Sequence, residues 1–203
     1  REEQLGPAGV AFRLSVRGDA KDYTVPIPGA HNAGNGALAV AAAFCLGVSS
    51  AEAAAGLART AGTDKRLHIV RSGGITVIDD TYNASPDSMR AALDVLADVD
   101  ADRRIAILGD MFELGPEEEA LHRLVGEYAS QKGIDVVLSV GKNARHISDA
   151  AGKAGARSMH FENRELLRDV LDQWIREGDA VLVKGSRGMQ MDAIAAYLAE
   201  GRK

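Results

Sequence analysis

Polar side chains follow directly on an apolar strand in the segment Ile78–Ser88, which reads IDDTYNASPDS. Asp80 stands at the predicted end of the strand, and Tyr82 and Asn83 lie in the loop before a helix that begins at Pro86. In open parallel sheets, ligands bind at the carboxyl ends of the strands, where loop backbone and helix N-termini favour anions. The segment therefore predicts part of a ligand-handling enzyme.

Three further predicted strands end in polar loops of the same kind. Because the carboxyl ends of parallel strands meet at one edge of a sheet, these loops are expected to gather beside Asp80. Lys184 closes an apolar strand, where an unpaired ammonium group would be costly, so it must reach the strand end or a partner. Since a glycine, a serine and an arginine follow it, we interpret Lys184 as a cation held toward an anionic substrate. The loop residues are Gly109, Asp110, Met111, Glu113, Gly141, Lys142, Lys184, Gly185, Ser186 and Arg187.

Asp79 and Asp80 are adjacent, so in a strand their side chains point to opposite faces and only one of them easily faces the crevice. We expect a structural role for one of the pair, most simply Asp79, as a solvated edge charge or as the partner of a lysine or arginine. Ser85, Pro86 and Asp87 match the N-cap, first position and first-turn acid of a helix. These three residues are interpreted as structural.

A second polar cluster, HNAGN, opens an alanine-rich helix at His31–Asn35. Simple N-capping by Asn32 would account for one polar side chain. His31, Asn32 and Asn35 supply three beside a proline-glycine turn, and the amide of an asparagine can make paired donor and acceptor contacts to a purine edge. Both interpretations stay open on the residues alone.

The elements that position these groups follow two patterns. The first pattern is an alternating stretch at Gly9–Ile27 that predicts a hairpin. The alanine-rich helix comes next and ends near Gly47, and a second helix is capped by Ser49 or Ser50. The segment Ala61–Arg66 has no periodicity, so it is a candidate linker.

The second pattern alternates short apolar runs with longer amphipathic ones, and it predicts five strand-then-helix units. Such units indicate an α/β fold, a Rossmann-like, mostly parallel sheet with helices on both faces. We expect a first part at residues 1–60, a hinge or linker at 61–66 and the α/β domain at 67–203. The predicted helices are Pro86–Ala97, Glu117–Gln131, Asn143–Ala154, Arg164–Ile175 and Met189–Ala199.

Composition excludes several classes of protein. The 203 residues are 46% apolar and carry a net charge of −5, so the chain has no basic field for nucleic acid. No apolar run is long enough to span a bilayer and no signal sequence opens the chain, which favours the cytoplasm. The single cysteine, Cys45, is predicted to be a buried, inert thiol. The histidines His68, His122, His146 and His160 lack metal-ligand spacing, and we expect ordinary surface or core roles for them.

Nucleotide-binding motifs with a fixed pattern are absent from the sequence. It contains no G-x-x-x-x-G-K-[ST] loop, and no G-x-G-x-x-G follows the first strand of the α/β part. A self-sufficient P-loop enzyme and a standard dinucleotide dehydrogenase are therefore disfavoured. The first residues contain no initiator methionine and no typical domain start, so we expect a piece of a longer protein.

Four segments taken together resemble the Mur ligases of bacterial cell-wall synthesis, and they occur in the family's order over essentially the whole chain. Within that family the likeness is greatest to the ligase that joins D-alanyl-D-alanine to a UDP-MurNAc-tripeptide. The segments are PGAHNAGNGALA (Pro28–Ala39), IDDTYNASPDSM (Ile78–Met89), ILGDMFELG (Ile107–Gly115) and VLVKGSRGMQMDAI (Val181–Ile194).

The resemblance implies three domains, of which this chain would contain the tail of the central ATPase domain and all of the C-terminal domain. ATP and Mg²⁺ would be the cofactors, with the P-loop and most magnesium ligands upstream. The residues implied to bind ATP are His31, Asn32, Asn35, Arg66, Asp80 and Asn83. Those implied to bind the muramyl peptide or the dipeptide are Tyr82, Asp110, Glu113, Lys184, Ser186 and Arg187; Tyr82 and Asn83 would line a closing cleft.

The implied chemistry is stepwise. ATP phosphorylates the terminal carboxylate of the tripeptide, the amine of D-alanyl-D-alanine attacks the acyl phosphate, and phosphate leaves. Catalysis would depend on positioning and cations, since no Ser/His/Asp or Cys/His set is visible. We also expect Asp80→Ala to weaken ATP use without disturbing the fold.

Two alternatives remain on the sequence alone. The chain could come from another Mur-type or a folylpolyglutamate-type ligase, or it could be a non-catalytic Rossmann-like binding module. The ligase interpretations predict an upstream G-K-[ST] loop, whereas the binding module predicts a gene that starts near Arg1. The upstream coding sequence would separate them.

Overall fold

The computed structural model describes residues 3–6, 9–16 and 18–200. The chain forms two compact units, Arg1–Gly62 and Thr63–Lys203. The division lies within the segment Ala61–Arg66, and the role of that segment as a hinge stays a prediction.

The first unit is a small antiparallel sheet with two helices. Its strands are β1 (Glu3–Gly6), β2 (Gly9–Val16) and β3 (Asp19–Val25), paired in the order β1-β2-β3. The helices are α1 (His31–Cys45) and α2 (Ser50–Ala58). The predicted hairpin and both helices are confirmed. Strand β1 was not predicted, because four residues are too few to show an alternating pattern.

The core of the first unit forms between the strands and the helices. The rings of Phe12 and Tyr23 stack with their centroids 5.6 Å apart. Ser49 caps α2 through a reciprocal capping box with Glu52. The prediction of a buried Cys45 is wrong, because the side chain is exposed at the end of α1. The run AVAAAFCLG has no polar residue to show which face of the helix points outward.

The second unit contains a six-stranded sheet with the order β4-β5-β9-β6-β7-β8. Strands β5 to β9 run parallel to one another, and β4 pairs antiparallel with β5 at one edge. The mostly parallel sheet is confirmed, whereas β4 was missed although its two-residue Gly73-Gly74 turn is a hairpin signal. The strands are β4 (His68–Ser72), β5 (Ile75–Asp80), β6 (Arg103–Gly109), β7 (Val136–Val140), β8 (Arg157–Phe161) and β9 (Asp179–Lys184).

Helices cover both faces of this sheet, as predicted. Apolar residues of α3, α4 and α5 form one core cluster with it, and those of α6 and α7 form a second. Short 3-10 turns at Gly115–Glu117 and Arg187–Met189 precede α4 and α7, so α7 begins three residues later than predicted. The helices are α3 (Pro86–Asp98), α4 (Glu118–Gln131), α5 (Arg145–Lys153), α6 (Arg164–Trp174) and α7 (Asp192–Ala199).

Helices α4 and α5 approach each other closely at Gly126. A Cβ atom added there would collide with the backbone carbonyl of Ile147, which cannot move aside as a flexible side chain would. Gly126→Ala is therefore expected to lower the free energy of unfolding of the second unit by about 1–3 kcal/mol. Urea denaturation followed by fluorescence of the only tryptophan, Trp174, measures this unit. Gly56→Ala is the control, because an added Cβ there meets nothing within 4 Å and the residue lies in the first unit.

Candidate functional site

The candidate site lies at the carboxyl edge of the six-stranded sheet. Strands β5, β9 and β6 are neighbours and end at Asp80, Lys184 and Gly109. Asp80 pairs in register with Lys184, and Lys184 pairs with Leu108. The strand order therefore brings together three of the polar loops that the sequence singled out.

Asp80 and Lys184 form a buried ion pair at the centre of this edge. The Nζ atom of Lys184 lies 2.6 Å from Oδ2 of Asp80 and donates a second hydrogen bond, of 2.8 Å, to the carbonyl oxygen of Asn83. The Lys184 side chain is only 2% exposed. Lys184 thus has the partner that its place in the strand required.

The carboxylate of Asp80 also holds backbone from outside the sheet. Its Oδ1 accepts a hydrogen bond of 3.1 Å from the amide of Leu67. Burial raises the pKa of Asp80, and the opposite charge of Lys184 counteracts part of that rise. The expectation that Asp80→Ala would leave the fold undisturbed assumed a strand-end side chain with little part in the core, whereas Asp80 is buried against Lys184. We now expect the substitution to destabilise the second unit, because it would leave the buried ammonium group of Lys184 without a counterion.

Asp79 serves a local turn. Its Oδ1 accepts hydrogen bonds from the amide of Thr81 at 3.1 Å and from the Thr81 hydroxyl at 2.6 Å. In the part of the chain that the structure describes, Asp79 makes no ion pair within 4.0 Å. The role as the partner of a lysine or arginine therefore belongs to Asp80, and Asp79 keeps a structural role through the turn.

Arg66 is held in a backbone segment of unusual conformation. Its neighbours Lys65 and Leu67 have φ values of 63° and 48°, a region that costs non-glycine residues free energy and persists only where contacts enforce it. Those contacts are the Leu67 amide to Asp80 and a hydrogen bond of 3.0 Å from the amide of Tyr82 to the carbonyl of Lys65. The backbone around Arg66 is thereby fixed to the sheet edge.

Two arginines stack on one tyrosine beside the buried ion pair. The guanidinium carbon of Arg66 lies 4.2 Å from the ring centroid of Tyr82, and that of Arg187 lies 5.3 Å from it. Neither guanidinium has a carboxylate within 4.0 Å among the described residues. Two exposed cations without a counterion form a surface that can bind a carboxylate or a phosphate.

The predicted residues Asp110 and Ser186 hold loops together. Oδ1 of Asp110 accepts hydrogen bonds from the amides of Asn143 at 2.9 Å and Ala144 at 2.6 Å. The amide of Ser186 donates to the carbonyl of Asp110, and its hydroxyl accepts a bond of 2.8 Å from the amide of Phe112. Both side chains are buried, so their functional groups face protein atoms.

Glu113 lies in the same loop, but its side chain is exposed and its backbone is left-handed with a φ of 63°. Asn83 is also exposed, and its Oδ1 accepts a hydrogen bond from the amide of Ala84. The structure therefore brings Arg66, Tyr82, Asn83 and Arg187 to the accessible side of the sheet edge. Asp80, Asp110, Lys184 and Ser186 form the buried layer beneath.

The HNAGN cluster belongs to the first unit. Asn32 is buried within α1, where its amide nitrogen donates to the carbonyl of Pro28 at 2.7 Å and its Oδ1 accepts from Asn35 at 3.1 Å. The alternative of N-capping by Asn32 is wrong, because the N-cap position is Ala30 and no side chain caps the helix. His31 and Asn35 lie exposed in the first turns of α1, and the adenine contact implied for this cluster stays a prediction.

Sequence reasoning assigned no role around the loop after β6 to His122, on α4, or to Phe112, in the loop itself. His122 was expected to be an ordinary surface or core residue; it is fully buried, as a core residue is, and it is bonded to the amide of Met111. The signal available was its position on α4 soon after the polar loop. Phe112 is 45% exposed at the tip of that loop. Within the described ranges, no three histidine, cysteine, aspartate or glutamate side chains come together to hold a metal ion, and no helix is long and apolar enough to cross a membrane.

Known families and proteins match the chain over most of its length. The family "Mur ligase, glutamate ligase domain" matches residues 65–187. The UDP-N-acetylmuramoyl-tripeptide–D-alanyl-D-alanine ligase of Escherichia coli (strain K12) is 38% identical over 195 residues, which are 95% of this chain and 42% of that protein. The ligase of the same name from Bacillus subtilis (strain 168) is 34% identical and covers 92% of this chain and 42% of that protein.

Solved structures share the fold. A crystal structure of MurF from Acinetobacter baumannii matches with a TM-score of 0.86 and 30% identity, covering 98% of this chain and 44% of that one. The structure of MurF from Thermotoga maritima in complex with ADP has a TM-score of 0.80 and 19% identity over 98% of this chain and 45% of that one, a likeness of fold alone. The chain spans about two fifths of the length of the curated relatives that it matches.

Proposed function

The chain belongs to the Mur ligase family, and on that premise we propose that it is part of an ATP-dependent amide ligase that joins D-alanyl-D-alanine to a UDP-MurNAc-tripeptide. The observation that carries the proposal is the pair of exposed arginines on Tyr82 at the carboxyl edge of the sheet, where this reaction needs cations for its phosphate and carboxylate groups. Identity of 34–38% to the two ligases named above, over nearly the whole chain, supports the choice of substrates.

The proposed roles follow the accessibility of each residue. Arg66 faces the phosphates or ribose of ATP, and Arg187 with Tyr82 faces the incoming peptide ends. Asp80 and Lys184 hold the strand ends and the backbone around Arg66 in place. Each carboxylate oxygen of Asp80 already has a protein partner, which favours this holding role. The direct contact from Asp80 to the ribose that the resemblance implies stays a prediction.

The two cofactors differ in how well the described residues fit them. The unpaired guanidiniums fit a phosphate group of ATP, which supplies the phosphoryl group that activates the tripeptide carboxylate. No metal-ligand cluster exists within the described residues, so no step is assigned to Mg²⁺ here. The remaining parts of the site, with the P-loop and most Mg²⁺ ligands, would come from upstream domains of the same enzyme, in the cytoplasm.

In the proposed reaction this half of the site positions the substrates and neutralises their negative charge, and it supplies no nucleophile. The tripeptide carboxylate takes the γ-phosphoryl group, the amine of D-alanyl-D-alanine then forms the amide bond, and phosphate leaves. Negative charge develops on phosphoryl and carbonyl oxygens, so fixed cations that need no rearrangement lower the barrier.

The test uses the full-length protein that contains this chain. With ATP, Mg²⁺, the UDP-MurNAc-tripeptide and D-alanyl-D-alanine, we expect phosphate release matched by a product whose mass equals that of the coupled pentapeptide. Parallel reactions offer glutamate, D-alanine or L-alanine in place of the dipeptide. Preference for one of these compounds would support another ligase of the family. ATP hydrolysis by the isolated chain, without the rest of the enzyme, would contradict the division of the site between domains.

A further inference from the structure

His122 is a buried titratable residue that the proposed reaction does not use. It lies on α4 with no exposed surface. Its Nε2 atom lies 3.0 Å from the amide nitrogen of Met111, and its Nδ1 atom lies 2.6 Å from the carbonyl oxygen of Glu118. Because the Met111 amide can only donate and the Glu118 carbonyl can only accept, Nε2 must be the acceptor and Nδ1 must carry the proton.

The bond to Met111 acts on the loop Asp110–Leu114, which joins β6 to the turn before α4. Ser186 holds the next amide of the loop, that of Phe112, and the carboxylate of Asp110 is bonded to the loop after β7. Buried side chains thus fix the successive residues 110, 111 and 112.

The loop beyond these bonds presents its side chains to solvent. Phe112 is 45% exposed, and Glu113 is exposed with a backbone φ of 63°. A left-handed glutamate persists only where its surroundings enforce that conformation. A Cβ atom added at Gly188 would meet the ring of Phe112, so this loop tip lies against the turn that carries Arg187.

We infer that His122 is a positioning residue: its neutral imidazole, protonated on Nδ1, fixes the Met111 amide and so holds Phe112 and Glu113 where the incoming amino compound binds. This inference rests on the proposed function for the identity of that compound. The ammonium group and short side chains of D-alanyl-D-alanine suit a carboxylate beside an aromatic ring. His122 itself touches no substrate.

The first test measures the loop in this chain. In His122→Phe the ring fills the space but accepts no hydrogen bond, and the Met111 amide should exchange with solvent about tenfold faster. The Leu138 amide in the centre of the sheet should keep its rate. His122→Gln should restore most of the protection, because a glutamine carbonyl can reach the place of Nε2. A ¹⁵N spectrum of the imidazole should show Nδ1 protonated at neutral pH. The opposite tautomer, or unchanged exchange in His122→Phe, would overturn the inference.

The second test measures function in the full-length ligase. His122→Phe should raise the KM for D-alanyl-D-alanine about tenfold while the KM for ATP changes by less than about twofold, since one lost hydrogen bond loosens only this loop. His122→Gln should lie close to the wild type. His68→Gln, an exposed histidine on β4, is the matched control and should change neither value.

The outcomes separate the inference from the proposed function. Equal rises in both KM values, or a fall in Tm with unchanged kinetics, would show that His122 is merely structural. If the wild-type protein prefers another amino compound, the proposed function fails. The ratio of the two KM values is then measured with that compound, and the same split would still support His122 as a positioning residue.

Discussion

Lys184→Met is expected to lower the free energy of unfolding of the second unit by about 3–5 kcal/mol, because removal of one partner of a buried ion pair leaves the other charge without compensation. Methionine fills much of the volume of the lysine stem, so the loss would come from the stranded carboxylate of Asp80 more than from a cavity. The Asn83 carbonyl would lose its donor as well. Urea denaturation followed by Trp174 fluorescence measures the effect.

The destabilisation should depend on pH in a direction set by Asp80. Burial already raises its pKa in the folded protein, and without the cation of Lys184 the pKa rises further. A carboxyl group with a raised folded-state pKa favours the folded state when protonated, and that contribution is lost as pH rises through the folded pKa. The free energy of unfolding that Lys184→Met loses relative to the wild type should therefore be smaller at about pH 5 than at about pH 8.

Two further variants separate charge from packing. Asp80→Asn combined with Lys184→Met removes both charges and keeps an oxygen for the Leu67 amide, so it should recover much of the lost stability. Lys153→Met, at an exposed position of α5, should change stability by less than about 0.5 kcal/mol. A double variant as unstable as the single one, or a deficit that does not vary with pH, would contradict the ion-pair explanation.

The architecture of the second unit was predictable because most of its parallel strands are short apolar runs and each is followed by a helix. Strand β4 was not predicted because HIVRS mixes three charged or polar side chains with two apolar ones, and an edge strand needs no long apolar run. The exposure of Cys45 was not predicted for a related reason, since a helix made mostly of alanine has no clear polar face. In both cases the pattern that burial imprints on a sequence was weak.

The composition of the site was predictable, and the roles of its members were not. Polar residues at strand ends pointed to the edge of the sheet where these side chains gather, but sequence order does not tell which strands are neighbours. Only the order β5-β9-β6 brings Asp80 beside Lys184. The stacking of Arg66 and Arg187 on Tyr82 joins residues separated by more than a hundred positions in the chain, and no periodicity connects them. The buried bond of His122 to a backbone amide could not be predicted from residue types, and only the position of His122 on α4, soon after the polar loop, pointed to it.

Arg66→Gln in the full-length ligase is expected to raise the KM for ATP by about 30- to 150-fold, the equivalent of one lost charge-assisted hydrogen bond to phosphate of about 2–3 kcal/mol. Glutamine keeps a polar side chain of similar reach but removes the cation. The fold should be undisturbed, because Arg66 is exposed and its backbone is held by Asp80 and Tyr82 through its neighbours. Initial rates at varied ATP and saturating dipeptide measure the effect.

Arg187→Gln provides the matched comparison, since it removes the second guanidinium from the same tyrosine ring. If the two arginines divide their ligands as proposed, Arg187→Gln should mainly raise the KM for one of the peptide substrates and change the KM for ATP by less than about twofold. A rise in the KM for ATP as large in Arg187→Gln as in Arg66→Gln would mean that both cations hold a single anion. An unchanged KM for ATP in Arg66→Gln would remove this residue from the nucleotide half of the site, because no carboxylate among the described residues lies within 4.0 Å of its guanidinium to account for the charge.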